Sequence, residues 1–130
     1  MNAATDLSFT APDLYAQLVQ LGQDALDRLH FGVIGFGPDT SVGLYNRFES
    51  EAAGLPPGRV LGQPLFSGVA QCLNNFMVAQ RFEDAQDDGT ALDATIDYVL
   101  TLRMRPVKVK LRLLAKPGSG VRFVLVQRKP

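Results

Sequence analysis

The chain has 130 residues, of which 46% are apolar and 20% are charged, which suits one globular domain with its own hydrophobic core. Thirteen basic and thirteen acidic side chains cancel, so no net field favours nucleic acid or an acidic membrane as a partner. A single cysteine and a single histidine exclude an internal disulfide, a cysteine-based metal site and a two-histidine metal site.

Membrane and export signals are also missing from the sequence. No apolar run approaches the length of a helix that spans a bilayer. The first residues, "MNAATDLSFTAPD", contain neither the basic segment nor the apolar segment of a signal peptide. We therefore expect a cytoplasmic protein that uses no metal and has neither a membrane nor a nucleic acid as its partner.

The first half of the chain predicts helices around one hairpin. Residues 10–29 form an amphipathic pattern that Thr10 and Asp13 would open as a capping box and that Gly22 would divide into two short helices. "FGVIGF", "GPDTS" and "VGLYN" predict a strand, a turn and a return strand. A helical turn over residues 47–53 follows and ends at Gly54.

The second half predicts irregular turns, one helix and three long strands. Residues 58–72 contain many helix breakers, and residues 74–86 predict a helix capped by Asn74 or Asn75 with Phe76, Ala79 and Phe82 as its apolar stripe. Strict alternation over residues 96–104 and 107–113, followed by a turn and "VRFVLVQ", predicts three antiparallel strands.

The order of these elements indicates the α+β class. One face of the sheet needs cover, so the helices must pack there. This is the layout of a PAS domain, in which a five-stranded antiparallel sheet and helices enclose a ligand-sized cavity. Lys108, Lys110 and Arg112 alternate along one strand and predict a solvated face of the sheet.

Three residues are candidates for chemistry, although each has an ordinary explanation when it is taken alone. Tyr45 and Glu49 lie four residues apart where the strand pattern becomes helical, so their side chains can point the same way. Considered alone, Tyr45 is expected to be a half-buried strand tyrosine, and Glu49 is expected to be a solvated residue on a short helix. Cys72 alone predicts an inert core thiol.

Together with their neighbours, these residues resemble the photoactive yellow protein family. The segments "FGVIGF", "LYNRFES", "VLGQPLF", "GVAQC", "QRFEDAQDDG", "MRPVKVKLRL" and "VRFVLVQR" follow the order and spacing of that family over about residues 29–128. The resemblance implies a PAS core at residues 29–130 and an N-terminal helical cap at residues 1–28.

The resemblance also implies a chromophore. Cys72 would carry p-coumaric acid (4-hydroxycinnamic acid) as a thioester, Tyr45 and Glu49 would hydrogen-bond its phenolic oxygen, and the pocket would be lined by Ala53, Leu55 and Leu100. A free phenol has a pKa of ~10 and burial disfavours its anion. Two neutral donors can keep the phenolate ionised, so Glu49 must then carry a proton.

The implied function is that of a blue-light photoreceptor, not an enzyme. Trans-to-cis isomerisation would withdraw the phenolate from its donors, and Glu49 would give it a proton. The buried carboxylate that remains is unfavourable by several kcal/mol, so the cap would detach. The downstream signalling partner is unknown, and we expect a monomer or a weak homodimer.

Four positions depart from the family pattern. Leu55 replaces an arginine that covers the phenolate region, and Ala53 replaces a hydroxyl residue that supports the tyrosine. Gln71 replaces a proline before the cysteine, and Leu100 replaces an aromatic residue that lies against the chromophore. Since the thiol, the phenol and the acid are all kept, these changes predict a working photosensor with altered colour or recovery.

Two alternatives remain open from the sequence. The chain could be a light-insensitive PAS module that binds a non-covalent ligand or a protein. It could also be a small hydrolase or transferase with Cys72 as its nucleophile and His30 as its base, although nothing in the sequence places His30 near Cys72.

Overall fold

A five-stranded antiparallel sheet forms the centre of the molecule. The computed structural model describes residues 7–101 and 106–128. The strands are β1 Gly32–Phe36, β2 Val42–Tyr45, β3 Leu92–Leu100, β4 Val107–Ala115 and β5 Arg122–Arg128, in the spatial order β2-β1-β5-β4-β3. The predicted α+β class and strand count are confirmed. Residues 102–104, which the sequence assigned to the third strand, lie outside the described residues.

Short helices connect and cover the strands. They are α1 Leu14–Leu18, α2 Gln23–Leu26, α3 Arg47–Ala53, α4 Pro57–Val60 and α5 Ala79–Asp88, with a π-helical turn at Leu65–Val69 and a 3₁₀ turn at Gln71–Leu73. The longest of these, α5, has ten residues. Across the described ranges, no helix is both long enough and apolar enough to cross a membrane.

The helix boundaries correct two predictions. Asp13 precedes α1 in a left-handed conformation (φ 52°), and within the described chain its side chain makes no capping hydrogen bond, so the predicted capping box is wrong. Helix α5 begins at Ala79, after Phe76, which is 80% exposed and lies outside the apolar stripe. The division of the first helix near Gly22 and the end of α5 at Gly89 (φ 66°) are confirmed.

The two faces of the sheet bury different hydrophobic clusters. On β5, Val124 and Val126 face a cluster that also contains Val60 of α4 and Phe82 of α5, which we call the central cluster. Phe123 and Leu125 point the other way and pack with α1 and α2 in what we call the cap cluster. The period of two along a strand produces this separation. The helices over one face and the N-terminal cap therefore cover opposite faces.

The cap cluster also bears on the boundary predicted at residue 28. Its buried members include Leu14, Leu18 and Leu26 from the cap, but also Leu29 and Phe31 at the entry to β1. The boundary at residue 28 stays a prediction.

A buried arginine fastens the cap segment to the sheet. Arg112 on β4 is 7% exposed, and its Nη1 donates to the carbonyl oxygens of Phe9 and Ala11 at 3.0 and 2.8 Å. Its Nε and Nη2 donate to the carboxylate of Asp93 at 2.9 and 2.8 Å. The predicted solvated face is correct for the exposed Lys108 and Lys110 but wrong for Arg112.

Candidate chromophore-binding site

Asn46 fixes the junction at which β2 becomes α3. It is fully buried, and its Oδ1 accepts hydrogen bonds from the backbone N–H groups of Val33 and Glu49 at 2.9 and 3.1 Å. Its Nδ2 donates to the carbonyl oxygens of Leu26 and Phe31 at 2.9 and 3.0 Å. An N-cap asparagine satisfies a free N–H of the first helical turn, so Asn46 both starts α3 and orients Glu49.

Glu49 lies in the first turn of α3 and is buried, with 1% of its surface exposed. Its side chain packs over Gly32 of β1, where a Cβ atom would collide with Oε1. Both carboxylate oxygens accept hydrogen bonds from Arg128 of β5, Oε1 from Nη1 at 2.7 Å and Oε2 from Nη2 at 3.1 Å. Sequence reasoning missed Arg128 because 79 residues separate the partners.

Two opposing influences act on the proton of Glu49. Burial raises the pKa of Glu49 above its usual value, and the hydrogen bonds and charge of Arg128 oppose that rise. Burial thus favours the neutral acid that the resemblance requires, whereas Arg128 favours the carboxylate. Glu49 is therefore suited to changing its protonation state when its surroundings change.

Tyr45 lies at the end of β2 and is 3% exposed within the central cluster. Its hydroxyl donates to the carbonyl oxygen of Leu55 at 3.2 Å, and the Ser50 hydroxyl donates to the same oxygen at 2.8 Å. Burial, followed by the charge of Glu49, raises the pKa of Tyr45 to about 12, while Arg128 opposes the rise. Tyr45 is therefore a neutral donor whose pKa depends on the charges of both Glu49 and Arg128.

Cys72 lies in the 3₁₀ turn as a free, partly buried thiol. It packs against the central cluster, which also contains Tyr45 and Leu100. Its carbonyl oxygen accepts hydrogen bonds from the Tyr98 hydroxyl and, at 3.3 Å, from Nδ2 of Asn75. Asn75 also donates to the Tyr98 hydroxyl at 2.6 Å. Sequence reasoning treated Asn75 as a helix cap and missed that these two side chains hold the backbone of Cys72.

The remaining candidates divide between the interior and the surface. Leu100 is buried in the central cluster and Leu55 packs against that cluster, while Ala53 is buried in the last turn of α3. Gln71 is exposed and donates from Nε2 to the carbonyl oxygen of Ser67 at 3.0 Å. His30 is exposed, and among the described contacts none joins it to Cys72, so the thiol–histidine alternative gains no support.

Curated relatives of nearly the same length match almost the whole chain, although no protein-family model matches it. The photoactive yellow protein of Rhodothalassium salexigens is 29% identical over 122 residues, which cover 94% of this chain and 97% of the relative. The photoactive yellow protein of Halochromatium salexigens is 30% identical over 120 residues, which cover 92% and 95%. The chain belongs to the photoactive yellow protein family.

A solved structure supports the same assignment. The photoactive yellow protein domain from the sensor histidine kinase Ppr of Rhodospirillum centenum superimposes on the chain with a TM-score of 0.79 and 31% sequence identity. The match covers 87% of this chain and 98% of that domain. The fold is therefore the PAS fold that the family resemblance predicts.

Proposed function

We propose that this member of the photoactive yellow protein family is a blue-light photoreceptor that binds p-coumaric acid as a thioester on Cys72. It is a cytoplasmic sensor, not an enzyme, and passes its signal to a separate protein. The observation that carries the proposal is the convergence of Cys72 and Tyr45 on one hydrophobic cluster, with the buried Glu49 close enough to raise the pKa of Tyr45.

The side chains present are compatible with a p-coumaroyl group. Cys72 offers a free thiol that is partly exposed, as acylation by an activated ester requires. Leu55, Leu100 and the rest of the central cluster offer apolar contacts for an aromatic ring. Tyr45 and Glu49 offer two buried groups that can donate hydrogen bonds to an oxygen anion.

When it is bound, the p-coumaroyl group supplies the absorption of blue light and a trans-to-cis isomerisation. Tyr45 would release the Leu55 carbonyl, which keeps the hydrogen bond from Ser50, and would donate to the phenolic oxygen instead. Glu49 in its acid form is the second donor. Once that contact is lost after illumination, the Glu49 carboxyl would supply one proton to the phenolic oxygen and would itself become a carboxylate.

Asn46 couples that charge change to the cap. It contacts the backbone N–H of Glu49 through one end of its amide and the carbonyl of Leu26 in α2 through the other. The cap is joined to the core by such polar contacts and by the cap cluster, so it is an element that can open locally. Detachment of the cap in the light is the proposed output.

Reconstitution with an activated ester of p-coumaric acid tests the proposal. The Cys72 sulfur should displace the leaving group and form one thioester bond, giving a visible absorption band and a mass gain of one p-coumaroyl group. Cys72→Ala should show neither change, and Asn74→Ala, at an exposed position near the thiol, should react like the wild type. An unchanged spectrum and mass would contradict the photoreceptor and favour the light-insensitive PAS module.

A further inference from the structure

The site contains a cation that the sequence did not indicate. The family resemblance implies that Leu55 replaces an arginine over the phenolate region, so the sequence predicts no positive charge at the site. Arg128 supplies one from the last position of β5, by a two-point contact with the Glu49 carboxylate at 2.7 and 3.1 Å. Two-point guanidinium–carboxylate pairs are among the strongest charge-assisted hydrogen bonds.

The charge of Arg128 also reaches the second donor of the site. Arg128 opposes the rise that burial and Glu49 impose on the pKa of Tyr45. Among the described residues, two titratable groups interact electrostatically with Glu49: Tyr45 from β2 and Arg128 from β5. An anion beside Tyr45 would therefore compete with the Glu49 carboxylate for one guanidinium.

The two partners differ in their access to solvent. The Glu49 side chain is 2% exposed and the Arg128 side chain is 15% exposed. Arg128 also borders an open groove of about 950 Å³, which Met77, Tyr98 and Val109 line as well. The guanidinium can therefore turn towards water when Glu49 becomes neutral, without leaving an unpaired charge in the interior. Glu49 has no such route.

We propose that Arg128 is the counter-ion of Glu49 in every state of the chain in which no phenolate lies beside Tyr45. In the chromophore-free protein it holds Glu49 as a carboxylate. The second half of the inference depends on the proposed function: after illumination, Glu49 gives its proton to the phenolic oxygen, and Arg128 receives the resulting carboxylate. Arg128 then stabilises the illuminated state and slows the return of the proton.

Infrared spectroscopy of the chromophore-free protein at neutral pH tests the first half. The wild-type spectrum should contain no C=O band from a protonated Glu49, so the Glu49→Gln substitution should remove no such band from it. Arg128→Gln should produce such a band, and adding Glu49→Gln to Arg128→Gln should abolish it. If the band is already present in the wild type, or is still absent in Arg128→Gln, the inference is overturned.

Matched variants separate this role from a general effect on the fold. Arg122→Gln changes another β5 arginine, which donates to Gln86 at 2.8 Å instead of to Glu49, and should leave Glu49 ionised. Arg128→Lys keeps the positive charge and should also leave Glu49 ionised. It provides a second test of the charge if Arg128→Gln does not fold. A carboxylic acid band in Arg128→Lys equal to that in Arg128→Gln would contradict a role for the charge.

Recovery after a blue-light pulse tests the second half in the reconstituted protein. Arg128→Gln should recover ~10-fold faster than the wild type, since it lacks the charged hydrogen bonds that hold the Glu49 carboxylate. Equal or slower recovery would overturn this half while the photoreceptor proposal stands. If the chromophore does not attach, the photoreceptor proposal and this half both fail, and the infrared result still decides the first half.

Discussion

At the scale of single residues, the site is a cluster of ionisable groups. Burial raises the pKa of both Tyr45 and Glu49, and Arg128 opposes that rise at each of them. The Tyr45 and Ser50 hydroxyls both donate to the Leu55 carbonyl oxygen. Tyr45 can therefore leave this acceptor while Ser50 still satisfies it. The position of one proton is therefore controlled by residues from three separate elements.

The free energy of unfolding at alkaline pH should depend on the buried hydroxyl of Tyr45. The pKa of Tyr45 is raised from 10.0 to about 12 in the folded chain. The corresponding stabilisation is therefore complete below pH 10 and is lost as the pH rises towards 12. Urea unfolding of chromophore-free Tyr45→Phe should give a loss of about 1 kcal/mol at neutral pH, for one hydrogen bond. That loss should shrink between pH 10 and pH 12, and a constant difference over this range would contradict the assignment.

At the scale of elements, the strands were predictable and the helix ends were less so. Alternation along β3 and β4 indicated strands because each strand has a period of two. Phe76 was misassigned because a local apolar pattern does not show where a helix begins. Arg112 looked like its solvated neighbours because its partners, Phe9 and Ala11, are more than one hundred residues away in the chain.

The residues of the candidate site also divide into those that local sequence predicts and those that depend on distant contacts. The positions of Cys72, Tyr45 and Glu49 came from local motifs that carry the family resemblance, and their chromophore roles stay proposals. Arg128 and Tyr98 could not be inferred because their contacts with Glu49 and Cys72 arise from strand pairing and from packing across the sheet. A charged residue near the end of a strand gives no local sign that it turns inward.

The junction between β2 and α3 should be sensitive to Asn46. Asn46→Ala removes the hydrogen bonds to Val33, Glu49, Leu26 and Phe31, and leaves buried backbone groups unsatisfied. We expect a loss of about 3 kcal/mol in the free energy of unfolding, measured by urea denaturation. Asn74→Ala, at an exposed position, should change it by less than about 0.5 kcal/mol. Similar values for the two variants would contradict the role of Asn46.

At the scale of the whole molecule, one sheet separates the site from the cap. The central cluster and the cap cluster lie on opposite faces, so the candidate chromophore-binding site and the proposed output element do not share a hydrophobic core. Polar contacts connect them instead, including those of Asn46 with Leu26 and of Arg112 with the segment before α1. Such polar contacts are directional, so they hold the cap at particular atoms of the sheet and of the β2–α3 junction.

Hydrogen exchange should measure how firmly Arg112 holds the cap. Arg112→Gln loses charged hydrogen bonds to Asp93, Phe9 and Ala11. Amides of α1 and α2 should then exchange about 10-fold faster or more, while those of β4 and β5 change less. Lys110→Gln removes an exposed pair with Asp97 and should leave the exchange of α1 and α2 near the wild-type rate. Equal effects of the two variants would contradict a specific role for Arg112.

Under the proposed function, the contacts of the Asn46 amide with the first turn of α3 and with α2 have a consequence for a receptor of the signal. Linkage between two sites is reciprocal. A receptor that binds the molecule better once α1 and α2 have come away would, by the same factor, favour the ionised form of Glu49. Titrating such a receptor in darkness would then alter the colour of the sensor, so the pigment itself would report the binding.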